Sequence, residues 1–297
     1  MVCNKCSMLI VFKQNRSIFI LSFNTLFMKR IILPVLALGL LFGSCRNEKK
    51  EDSDKKVEVE TEVLGFAEVG LTPEDFPACD DAKCPEIRVN YLKFRENQKV
   101  ANTINTHNQE QIIKIFNNAE ADTDAKNVKV AIEEFIVDYK NFKKDFPESQ
   151  AGYEIETSQT VLHQNKKLLV VETDFYLFTG GAHGYGATLY ANFNSATGKL
   201  LQTKDLFSKL SAFKGFAEKK FRKKYEILED DNINSKGFFF ENDTFALPEN
   251  VAITANEVIL VYNQYETASY AEGQLKLTFP KERVAQWLSD LAQDETK

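Results

Sequence analysis

The chain has 297 residues, 43% of them hydrophobic, and carries 43 acidic against 37 basic side chains for a net charge of −6. A negative surface disfavours nucleic acid and anionic membrane and favours basic partners, although on charge alone it is also an ordinary solubilising surface. The composition therefore excludes few functions beyond nucleic-acid binding.

Residues 1–27 fit nothing folded, and Met28 is the better start. From it, Lys29 and Arg30, an apolar run over 31–42 and Gly43-Ser44-Cys45 form an export signal too short for a membrane span. The alternative is a signal anchor with a short basic tail. A cysteine at this point suggests a lipobox, and the resemblance to bacterial lipoprotein signals implies that Cys45 becomes the acylated first residue, so the membrane is met only through a lipid. Residues 1–44 hold five basic side chains (Lys5, Lys13, Arg16, Lys29, Arg30) and no acidic ones, so 37 and 43 become 32 and 43, a mature charge of about −11. Residues 46–56 are almost wholly charged and read as a tether. Their Lys-Glu-Asp cluster resembles the signal that sends some Bacteroidota lipoproteins outward, implying the outer membrane or cell surface. Residues 57–63 alternate apolar with acidic and predict an edge strand.

Cys79 and Cys84 are the only other cysteines of the exported chain and are expected to form a disulfide before a metal site. A strand follows at 87–94, then a helix over 97–119 with Val100, Ile104, Ile112 and Ile115 on one face. A second helix carries Val128, Ile132, Phe135, Ile136, Tyr139, Phe142 and Phe146 at helical spacing and stops at Pro147. Residues 153–162 lead as a strand into the central feature, two strands joined by a glycine-rich turn over 168–207. Leu169, Val171, Thr173, Phe175 and Leu177 alternate with Glu172 and Asp174, the pattern of a half-buried strand. Gly180, Gly181, Gly184 and Gly186 then permit a tight return or close approach of another molecule.

A third helix repeats Phe213, Ala217, Phe221 and Tyr225, with Lys219, Lys220, Arg222, Lys223 and Lys224 between them, expected as a solvated face. Strands at 251–254, 257–262 and 274–279 and a helix over 281–292 close the chain. Strands interleaved with helices without a repeating βαβ rhythm predict an α+β fold of mainly antiparallel sheets, in two small subdomains.

Two ordered blocks carry a family resemblance. TGGAHG at 179–184, with TGK at 197–199 and DLF at 205–207, and YNQYETASYAEG at 262–273 resemble the extracytoplasmic domain of RsiV-type anti-sigma factors and many bacterial lipoproteins of unknown function. Upstream, Cys84-Pro85-Glu86-Ile87 and the NTIN run at 102–105 resemble the PdaC/SigV/RsiV-like domain that precedes it. The residue pattern gives a signal region at 1–44 and a tether at 45–56, and the resemblance, covering roughly 57–292, implies an N-terminal domain at 57–165 and a C-terminal domain at 166–297.

The residues carry no GxSxG, HExxH, GxxxxGK or dinucleotide fingerprint, so no enzyme, cofactor or metal is implied. His183, downstream of Glu172 and Asp174, reads as turn-stabilising before metal-binding or acid-base chemistry, since the carboxylates lie well back along the strand. The resemblance implies a non-catalytic envelope module capturing a lysozyme-like basic protein, or a peptidoglycan-binding accessory domain. Candidate contacts are Gly180, Gly181, His183, Tyr185, Tyr262, Tyr265 and Tyr270, with Tyr176 and Tyr190 as further aromatic faces.

Overall fold

The structure, a computed structural model, describes residues 63–79, 84–116 and 125–293. The expected signal region, Cys45, the tether and all but the last residue of the strand at 57–63 lie outside them.

Phe66–Leu71 (β1) pairs antiparallel with Glu86–Phe94 (β2). The strand β1 escapes a sequence reading because its first five residues alternate between exposed and half-buried and only Leu71 is buried, leaving little apolar signal. Cys79 and Cys84 are joined by the expected disulfide, with their Cα atoms 5.3 Å apart. Gln98–Phe116 (α1) and Val128–Asp145 (α2) then cross to Glu154–Gln164 (β3), whose first residues pair parallel with β2. A parallel pair needs such a crossover, and these helices supply it. The α2 stripe folds as its spacing predicts. Asn127 caps it by accepting from Val130 N at 3.1 Å, and Ile132 and Ile136 are fully buried. Phe146, expected on that stripe, lies past the last turn and is exposed. In the NTIN run, Asn105 behaves as a strand stub. Its side chain accepts from Phe94 N at 2.8 Å and donates to Phe94 O at 3.0 Å, pinning α1 to the end of β2.

Leu168–Phe178 (β4) pairs antiparallel with β3 and with Tyr185–Asn194 (β5), and Leu200–Leu201 (β6) closes a six-stranded sheet in chain order. The position between residues 165 and 166 falls in the turn of the β3–β4 hairpin, so one sheet runs through it. The start of β4 is not the half-buried strand its pattern suggests, because Leu168, Leu169, Val170 and Val171 are all buried. Leu169 and Val171 face Val100, Ile104 and Phe193 beneath α1, while Leu168 and Val170 join a second core.

That second core lies under Thr203–Leu206 (α3), Leu210–Lys224 (α4) and an antiparallel sheet of Val251–Ile253 (β7), Glu257–Tyr262 (β8) and Leu275–Pro280 (β9). Phe221 is its hub, with the rings of Phe238, Phe240 and Phe245 centred 5.0 to 5.5 Å away. The basic residues of α4 are not simply a solvated face. Lys220 and Lys224 donate to the carbonyls of Thr278 and Lys276 on β9, an edge strand, and Arg222 holds Glu218 and the carbonyls of Leu228 and Asp231. The expected helix at 281–292 is only one turn, Lys281–Val284 (α5), followed by a 3-10 turn. Tertiary bonding ends it: Ser208 N donates to Trp287 O at 2.8 Å, and Leu288 forms an antiparallel bridge with Phe207. The fold is α+β with two sheets, mainly antiparallel.

Candidate functional site

The β4–β5 turn is built from backbone that side chains resist. Gly180 and Gly181 have φ of +97° and +94°, and a Cβ at either would meet nothing within 4 Å, so the requirement there is conformational. Gly184 makes room instead: a Cβ would lie 2.4 Å from the far end of the Tyr176 ring, which would have to move. Gly186 meets neither condition, so the four glycines serve different ends.

The turn is met by the segment after β8, about eighty residues later. Asn263 fastens the two. Its amide accepts from Thr188 N at 3.1 Å and donates to Thr188 O at 3.0 Å, copying a neighbouring strand along β5. Asn250 repeats the device one step along, accepting from Tyr190 N at 2.7 Å. Glu266 accepts from Asn263 N at 2.9 Å and so rigidifies the latch. These bonds satisfy a strand edge that would otherwise be open to pairing.

Three rings converge beside the latch. His183 stacks on Tyr270 with centroids 3.9 Å apart and planes at 20°, and Tyr265 lies 5.7 Å from Tyr270. Gly184 O can only accept, so His183 Nδ1, 3.2 Å away, donates to it; Nε2 then faces the Tyr265 hydroxyl at 3.4 Å. Tyr270 also donates to Gly184 O, at 3.3 Å. Tyr265 has φ of +66° and is 53% exposed. A bulky residue held in the left-handed region is strained, and here its return is limited to the edge of the His183 and Tyr270 stack.

The structure therefore divides the sequence candidates. Gly180, Gly181, His183, Tyr265 and Tyr270 come together. Tyr262 does not: it is 1% exposed, its ring packs against Phe240 and Phe245, and its hydroxyl donates to Ala246 O at 2.6 Å. Burial pushes that hydroxyl's pKa far up. Tyr185 pairs with Leu177, and its ring meets Phe175 at 5.8 Å in a cleft beneath α1. Glu172 and Asp174 bond across the hairpin to Tyr190 and Thr188, rather than to His183. Burial and then Asp174 raise the Glu172 carboxyl, against the lowering bond from Tyr190. Among the described residues no group of three or more His, Cys, Asp or Glu could hold a metal. Asn250 and Asn263 were missed, because nothing in an isolated Asn signals that it will mimic a strand.

Comparison with known proteins places this geometry in a wider setting. Residues 78–185 match the profile of a family described as deacetylase PdaC, and residues 204–282 match a family of unknown function, DUF3298. A DUF3298 family protein from Pseudomonas aeruginosa PAO1 superposes with a TM-score of 0.55 at 20% identity, over 78% of this chain and 98% of its own. One from Bacteroides fragilis NCTC 9343 gives 0.57 at 19% identity, over 76% and 94%. These likenesses show the fold. The search of curated proteins returned no match. PdaC-like and DUF3298 domains are thus present in tandem; the turn at 180–184 falls within the first match, and the Tyr265 segment within the second.

Proposed function

We propose that this chain is a non-catalytic binding or sensor module of the cell envelope, lipid-anchored through Cys45, that captures a basic, lysozyme-like protein on the His183, Tyr265 and Tyr270 platform. The observation that carries the reading is Tyr265, exposed at 53% with φ of +66°. Its ring meets Tyr270 and its hydroxyl faces His183, yet more than half of the residue stays in solvent at a strained φ, and exposed tyrosines of this kind serve as interface anchors. Negative charge supports a basic partner, with Glu266 and Glu272 in the same segment. The flat stacked rings also favour a second reading, in which peptidoglycan is the ligand and sugar faces pack on the aromatics.

Calorimetry of the protein from residue 57 onward with a C-type lysozyme at low salt, beside sedimentation with isolated peptidoglycan, tests both. The expected result is saturable lysozyme binding that Tyr265→Ala weakens roughly tenfold or more through faster dissociation, while added salt slows association. Retention on peptidoglycan without lysozyme binding would replace the first reading with the second, and loss of both interactions would remove the platform from consideration. Intact mass of the membrane-associated protein checks Cys45: a mature chain retaining Met28 contradicts the lipid anchor.

A further inference from the structure

The cleft holding Tyr185 is separate from the Tyr265 platform. It encloses about 500 Å³ between the last turns of α1 and the outer half of the β4–β5 hairpin. Pockets for small molecules have this size, with mostly apolar walls and a few placed polar groups. Here Ile115, Phe175, Leu177, Tyr185 and Leu189 form the walls. Ala187 sits between Tyr185 and Leu189 on the same strand face, and its short side chain leaves the volume open.

The polar lining is unequal in donors and acceptors. His107, Glu110, Gln111 and Lys114 come from α1 at the spacing that puts them on one side of the helix. The Gln111 carbonyl is already used, accepting from Thr173 Oγ1 at 2.8 Å, which leaves its amide hydrogens to the cleft. Among the described residues Lys114 makes no ion pair. Gln111, Lys114 and the His107 ring can therefore donate, and Glu110 supplies the one charged acceptor.

We propose that this cleft binds a small amphipathic monoanion, an aromatic or branched aliphatic body with a single carboxylate or sulfonate head. The body fills the space between Phe175, Tyr185 and Leu189, and the head is held by Lys114 with Gln111. An acceptor-rich head fits a donor-rich lining, and Glu110 on the same rim limits it to one negative charge.

Fluorescence titration with 8-anilinonaphthalene-1-sulfonate, an aromatic monoanion, tests this beside N-phenyl-1-naphthylamine, its uncharged counterpart. One saturable site for the sulfonate is expected. Ala187→Trp, which fills the cleft, should abolish both probes, and Lys114→Glu should weaken the sulfonate about tenfold, the worth of one charge-assisted bond, while leaving the amine unchanged. Glu110→Gln should tighten the sulfonate. Equal binding by wild type and a folded Ala187→Trp protein would overturn the proposal, as would no saturable site, or equal effects of Lys114→Glu on both probes. Should Ala187→Trp not fold, the two exposed α1 substitutions decide alone. Tyr265→Ala is expected to leave both probes unaffected, so this site and the platform fail or stand separately.

Discussion

The two ends of the β4–β5 hairpin do opposite things with the same strands. At its base, Leu168 to Val171 are buried on both faces, and Phe193 is wholly enclosed with the His107 ring edge-on at 5.4 Å. At its tip one face opens into a cleft, and the turn carries glycines at positive φ with a strained, exposed Tyr265 beside it. The base is where two cores share one strand, so its residues are constrained by packing. The tip meets α1 on one face only, through Leu177, and its turn packs into neither core. What holds it is specific hydrogen bonding from Asn250 and Asn263, which orders a surface without covering it.

If the base is purely structural, Phe193→Ala should cost about 3–5 kcal/mol, as expected for a large aromatic truncated in a closed core. Urea denaturation measures this. A loss below about 1 kcal/mol would erase the difference between base and tip. The contrast sharpens at two of the three positive-φ residues of the tip, Gly181 and Tyr265. Gly181→Val should cost roughly 1–3 kcal/mol from backbone conformation alone, since its Cβ meets no neighbour. Tyr265→Asn should leave stability near the wild-type value, because Asn tolerates the left-handed region and the released strain offsets the lost ring contacts, of order 1 kcal/mol each. Binding to lysozyme should nevertheless fall. If thermal melts show Tyr265→Asn to be as damaging as Gly181→Val, the ring belongs to the packing and not to a surface kept for a partner.

The smallest effect lies at Glu172, midway along the hairpin. Its carboxyl pKa is raised, so the folded chain holds that proton more tightly than the unfolded chain does. The resulting stability is present below the ordinary carboxylate value of 4.5 and is lost as pH rises through the raised folded value. Glu172→Gln should flatten this fall in melts recorded between about pH 4 and 7. An unchanged pH profile would mean that Glu172 is as solvated as a group at the open tip.

Helix α2 was legible because the signals read for it, the apolar stripe and the stop at Pro147, are local, as is the Asn127 cap that the structure adds. The helix expected at 281–292 had a similar pattern, yet Trp287 and Leu288 bond instead to the backbone around Phe207 and Ser208, and a distant partner outweighs a weak local preference. The lysines of α4 carried the same lesson, since what looked like a wet basic face includes two side chains spent on carbonyls of β9. Among the candidate tyrosines, residue type alone held no distinction. The pairing of Tyr185 with Leu177 turns it toward α1, while Tyr262, at the end of β8, points into the aromatic core.

Periodicity, the cysteine pair and the density of glycines were enough to point to an α+β chain, a disulfide and a tight turn at 180–184, because each reflects constraints acting within a few residues. Which tyrosines reach solvent, that Asn250 and Asn263 latch a strand edge, and that a cleft opens beside Ala187 were decided only when segments sixty to eighty residues apart were brought together. Burial and hydrogen-bond partners are properties of that juxtaposition, and a side chain's own chemistry states only what it can do once its neighbours are known.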